Sequence, residues 1–156
     1  MITEKIDELI SITKEKNRLL NQMYNITKEQ IEEIEREEMD SLNNIMDKKD
    51  NLMKKIDELD LSFITIFSQI KKEDSIESID ELSIEQYPNL RQLKEAVKEV
   101  SSTLIAISLL DEKNTQAMKE RFEETKIELR KLKKGKKAYK GYNPSVTGSI
   151  LIDEKK

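Results

Sequence analysis

The sequence predicts an all-α protein: an elongated antiparallel helical bundle, made of a coiled-coil-like hairpin and a long third helix, with a flexible C-terminal tail. Three observations predict it. Charged residues make up 38% of the chain and the hydrophobic set 36%, with three Phe, four Tyr and no Trp, a balance that suits solvent-washed helices around narrow apolar seams. Three Gly and two Pro in 156 residues are too few to turn a β-sandwich, a barrel or a doubly wound sheet. The apolar residues also recur three or four apart over long stretches, which is the helical period.

The first helix is expected over about 2–36. Ile2, Ile6, Leu9, Ile12, Leu19, Leu20, Met23, Ile26, Ile31 and Ile34 lay an apolar stripe on one face, interrupted by Thr13, Lys16, Thr27 and Gln30. The second is expected over about 40–72, with Leu42, Ile45, Met46, Lys49, Leu52, Met53, Ile56, Leu59, Phe63, Ile66, Phe67 and Ile70 in an unbroken rhythm and Asp40 or Ser41 as N-cap. No Gly or Pro separates these two segments, so one continuous helix to Lys72 is the competing expectation.

Residues 73–88 lose the rhythm and read as a loop over the end of the hairpin, with one short helical turn around Ser78–Leu82. Pro88 suits the first turn of a third helix over about 89–134. Its seam is Leu90, Leu93, Val97, Val100, Leu104, Ile107, Asp111, Asn114, Met118, Arg121, Thr125, Leu129 and Leu132, with Phe122 alongside, and Gly135 is the expected stop. One helical domain over 1–134 and a basic, Tyr-containing tail over 135–156 follow. The tail carries Tyr139, Tyr142, Val146 and Ile150-Leu151-Ile152, apolar enough for a docking element.

Several function classes are excluded by what the chain lacks. Without Cys there is no disulfide framework, thiol nucleophile or cysteine metal site, and without His the commonest general base and transition-metal ligand are gone. No Gly-rich phosphate loop, Ser-centred elbow or EF-hand loop occurs. The sequence therefore predicts no enzyme, no cofactor and no metal. The N-terminus is charged from the start, and the longest nearly uncharged stretch, 61–70, is about half of the ~20 residues a membrane span needs. A soluble cytoplasmic protein with no membrane insertion is expected.

Charge is unevenly placed. Residues 126–156 carry ten Lys or Arg against three acids, whereas residues 1–125 carry eighteen against twenty-nine. A polyanion-binding patch is one reading. Cations complementing a helix C-terminus is the preferred one, because the acidic body repels nucleic acid and no aromatics interleave the lysines. No nucleic-acid partner is expected.

The third seam weakens after Ile107, where Asp111, Asn114, Arg121 and Thr125 enter it. That half of the helix either faces water or waits for a partner helix to complete Met118, Phe122, Leu129 and Leu132. The expected partner contacts are Leu104, Ile107, Asn114, Met118, Phe122, Leu129 and Leu132, with Tyr139 and Tyr142 as anchors offering large area and few rotatable bonds.

The order of parts resembles the FlgN family of flagellar type III export chaperones, in its Gram-positive form. The phrase Leu42-x-x-Ile45-x-x-x-Lys49-x-x-Leu52 matches one in the family's hairpin. Leu110-x-x-x-Asn114-x-x-x-Met118 matches its long helix, with Asp111 where many relatives have a further Asn. Ala138-Tyr139-Lys140-Gly141-Tyr142 looks like the family's tail. The resemblance implies a cytoplasmic helical chaperone without ATP hydrolysis of its own. It would bind the C-terminal helical region of hook-associated (hook–filament junction) proteins, keep them unassembled and deliver them to the export gate. A self-associating coiled-coil module, a homodimer when free, and a sibling chaperone for the filament or cap protein stay open.

Overall fold

A computed structural model describes residues 2–142, with side chains described for residues 2–136. It contains three α-helices, α1 (Ile2–Arg36), α2 (Met39–Asp74) and α3 (Leu90–Tyr142), with a 3-10 turn at Ile79–Glu81. The described residues contain no strand. The chain divides into two compact units, residues 1–114 and residues 115 onward.

Polar contacts fix the directions of the helices within the first unit. Lys5 pairs with Glu73, Lys16 with Asp60 at 2.7 Å, and Lys49 Nζ donates to Gln30 Oε1 at 3.1 Å. Numbers rise along α1 as they fall along α2, so the two are antiparallel. Asn89 donates to the Thr3 carbonyl, Thr103 to Asn17 Oδ1 and Asn114 to the Thr27 carbonyl. Both numbers rise together, so α3 runs parallel to α1.

Two apolar clusters fill this unit. One gathers Ile2, Ile6, Leu9 and Ile10 of α1, Ile70 of α2, Leu82 of the loop, and Leu90 and Leu93 of α3. The loop is thus a plug as well as a connection, since Ile76, Ile79, Ile84 and Tyr87 also pack there. The second cluster joins Leu19, Leu20, Met23, Leu52, Ile56, Val100 and Ile107. Each fully buried Leu or Ile stabilises by about 1.5–3 kcal/mol relative to exposure.

Thr13 and Thr27, which interrupt the α1 stripe in the sequence, are buried within it. Each hydroxyl donates to a carbonyl one turn back, Thr13 to Leu9 and Thr27 to Met23, both at 2.7 Å. With its hydroxyl satisfied locally, threonine packs as a small apolar residue.

The break between α1 and α2 is real, and a Gly is not what makes it. Glu37 takes the left-handed conformation at φ 57°. Its N–H donates to the Ile34 carbonyl and the Glu38 N–H to the Glu33 carbonyl, the paired closure of a Schellman ending. Ser75 ends α2 in the same conformation at φ 51°, its N–H returning to the Lys71 carbonyl. A non-glycine residue in that region costs roughly 1–2 kcal/mol. Neither Asp40 nor Ser41 caps α2, contrary to expectation. The N-cap is Glu38, without a side-chain cap bond, because the Schellman closure leaves the chain ready to re-enter a helix immediately. The 3-10 turn has the full capping box instead, Ser78 receiving the Asp80 N–H and Glu81 receiving the Ser78 N–H.

Gly135 does not stop α3, which continues to Tyr142. No described glycine has positive φ, so Gly135 stays helical at a cost of about 1 kcal/mol against Ala. The lysines around it are good helix formers. Residues 143–156, the rest of the expected tail, lie outside the described residues.

Candidate partner-binding surface

The expected seam of α3 lies on two different faces. In the first unit the buried side chains of α3 are Leu90, Leu93, Ala96, Val100, Ile107 and Asn114. Ala96 and the half-buried Thr103 occupy the inward positions assigned to Val97 and Leu104. Those two larger residues are exposed, Leu104 at 44%. Thr103 donates to Asn17 of α1 at 2.9 Å, so this face of α3 turns inward and the larger neighbours turn outward.

Of the residues expected to touch a partner, Ile107 and Asn114 are therefore committed inside the unit, at 8% and 5% exposure. They offer no surface there. Asn114 Nδ2 donates to the Thr27 carbonyl at 3.1 Å and to Gln30 Oε1 at 3.2 Å. The same Gln30 oxygen receives Lys49 Nζ at 3.1 Å, and Lys49 pairs with Asp111 Oδ1 at 3.1 Å. Lys49, Asp111 and Asn114 are polar residues of the two phrases that carry the family resemblance. The fold joins them through Gln30 into one network tying α1, α2 and α3. A satisfied polar network in a helical interface fixes register, since any slip leaves buried groups unpaired.

In the second unit no residue from 115 to 136 is buried. Met118, Phe122, Leu129 and Leu132 are all exposed, Phe122 at 61% and Leu129 at 39%. Lys126 Nζ sits 4.7 Å from the Phe122 ring centroid and 3.7 Å from Glu123, and Arg121 pairs with Glu124 at 3.3 Å. These contacts run along the helix within about a turn, and among the described residues the stripe stays exposed. Tyr139 and Tyr142 fall in α3, but their side chains lie outside the described residues. Ile105, Leu109 and Ile127 are further exposed apolar residues that the seam does not include. Their signal is their position off the three–four rhythm.

The first unit also holds a groove of about 350 Å³ where Ile12 of α1, Phe63 and Ile64 of α2 and Val97 of α3 converge, with the Lys16–Asp60 pair in its lining. Among the described residues no cluster of metal-ligating side chains assembles, and no helix is long and apolar enough to cross a membrane. Shifted acids and bases have local structural causes. Arg18 holds the Glu15 carboxyl below its ordinary range through a side-chain hydrogen bond. The Glu77 and Ser78 N–H groups do the same for Glu81. Burial pushes the Tyr87 phenol up, aided by the charge of Asp74. The exposed stripe of Met118, Phe122, Leu129 and Leu132 and the groove of the first unit each offer apolar area for binding.

The model of the FlgN protein family matches residues 1–147. No curated protein and no solved structure matches the chain.

Proposed function

The chain belongs to the FlgN family of flagellar export chaperones, and on that premise we propose that it binds the C-terminal helical region of hook–filament junction proteins, keeps them unassembled and delivers them to the type III export gate. On this reading it acts in the cytoplasm and performs no catalytic step. What supports it is the stripe Met118, Phe122, Leu129 and Leu132, exposed on a helix whose preceding half is packed. A protein that polymerises through terminal helices exposes amphipathic segments before assembly. Burying them against this stripe removes apolar surface from water at about 25 cal/mol per Å², before ordering costs.

Phe122 and Leu129 are the central contacts in this proposal, with Met118 and Leu132 flanking them and Tyr139 and Tyr142 anchoring beyond. Leu104 offers a separate contact in the first unit. Mixing the purified chain with a purified hook–filament junction protein, and sizing the mixture by light scattering, tests it. A one-to-one complex that Phe122→Ala with Leu129→Ala abolishes is the expected result. No complex with that client, or a complex formed with filament or cap protein instead, overturns the assignment.

A further inference from the structure

Resting on the reading of the 118–132 stripe as the client surface, we infer that the segment it receives is an amphipathic helix with acidic residues flanking its apolar face. A second copy of this chain is not the occupant. Met118, Phe122, Thr125, Leu129 and Leu132 succeed one another at steps of four, three, four and three, the spacing of a two-stranded coiled-coil seam. In such a pair the residues beside the seam face the partner's flanks and set its identity.

One edge of this seam is a file of lysines, Lys119, Lys126 and Lys133, each following a seam residue at heptad spacing. The other edge carries Arg121 and Glu128. Residues 115–136 together hold eight Lys or Arg against four Glu. This charge stays at the surface: Lys126 is 3.7 Å from Glu123, and the two side chains are 46% and 66% exposed. Exposed pairs of this kind hold little energy and rearrange readily.

Self-pairing matches this edge less well than an acidic partner does. Two antiparallel copies bring lysine against lysine along the file, with Arg121 facing Glu128 on the other edge, and two parallel copies bring Arg121 against Lys126 and Glu128 against Lys133, so neither arrangement neutralises the lysines as an acidic flank does. Like charges facing across a seam disfavour the wrong partner, whereas acidic flanks would meet the lysines with opposite charge and speed the encounter. The same charges therefore favour an acidic-flanked client over a second copy of this chain.

Two synthetic three-heptad peptides serve as probes, with identical apolar seams and either Glu or Lys at every flanking position. Binding to the full chain is followed by fluorescence anisotropy at low salt. The Glu-flanked peptide should bind at least about tenfold tighter, with the advantage shrinking as salt rises. Lys119→Glu, Lys126→Glu and Lys133→Glu together should invert the preference, and the corresponding Lys→Gln variant should erase it. Equal binding of both peptides, tighter binding of the Lys-flanked one, or binding of neither overturns the inference. So does a stable dimer of the unaltered chain that Phe122→Ala dissociates. If the junction protein is still captured while the peptides are not discriminated, the acidic-flank inference fails and the chaperone reading stands. Discrimination without capture upholds the acidic-flank inference and overturns the junction-protein assignment.

Discussion

Residues 90–114 and 115–136 of α3 share a helical period and differ in where it leads. The first stretch buries Leu90, Leu93, Ala96, Val100, Ile107 and Asn114 in the three-helix unit. The second has no buried residue, although Met118, Phe122, Leu129 and Leu132 keep the rhythm. Amphipathic periodicity thus marks a face that needs covering, without saying whether the cover lies in the same chain. Here a packed stretch and an exposed one follow one another along a single helix, and substitutions should separate them.

The largest stability effect belongs to the packed stretch. Leu93 is 1% exposed, and Leu93→Ala should cost about 2–5 kcal/mol in chemical denaturation. Phe122→Ala, which removes more volume, should change stability by less than about 0.5 kcal/mol. Its effect should appear in client affinity instead, at about 2 kcal/mol for a central aromatic contact. A substantial stability loss at Phe122 would show that the second stretch is covered by its own chain.

Asn114 marks the boundary, and Asn114→Ala is the next effect in size. It removes the donor to the Thr27 carbonyl and to Gln30 and should cost about 1–2 kcal/mol. Asn114→Leu should recover much of that stability while loosening register, read as broadened amide resonances along 103–114. Sharp resonances would mean that apolar packing alone fixes α3. Gly135→Ala is smaller and opposite in sign. With nothing within 4 Å of an added Cβ, it should raise helix stability by up to about 1 kcal/mol, seen as slower amide exchange near 135.

The pH dependence is smaller still. Backbone N–H groups hold the Glu81 carboxyl below its ordinary range, so its contribution is present above the unfolded carboxylate pKa. It is lost as pH falls through the folded value. Glu81→Gln should flatten that acid limb slightly and leave neutral-pH binding unchanged.

Much of this fold is legible in the residues. Most of the α1 and α2 stripes follows from spacing, because a hairpin leaves one inward face per helix, but Met46 and Met53 of the expected α2 stripe are exposed and Ile10, outside the expected α1 stripe, is buried. The choice of face on α3 does not follow, since Ala96 and Thr103 are weaker hydropathy signals than Val97 and Leu104, and only packing within the three-helix unit places the smaller pair inward. The helix ends at Glu37 and Ser75 are hidden because left-handed caps carry a signature only when glycine occupies them. The polar network is visible as separate residues, and Gln30, its hub, reads in sequence as an interruption of the α1 stripe. At the surface, Met118, Phe122, Leu129 and Leu132 are readable as an unpaired seam, whereas the burial of Ile107 and Asn114 depends on contacts far apart in sequence.

If the client covers the open half of α3, its binding must change solvent access there, around Leu104 and at the Tyr139 and Tyr142 anchors, and little elsewhere. Amide hydrogen exchange of the chain with and without a saturating purified hook–filament junction protein reads this out. Strong new protection across 115–136 is expected, with little change in the already protected helices of 2–114 away from Leu104. Protection gained only within 2–114, or exchange in 115–136 that the client leaves unaltered, would show that the client sits elsewhere.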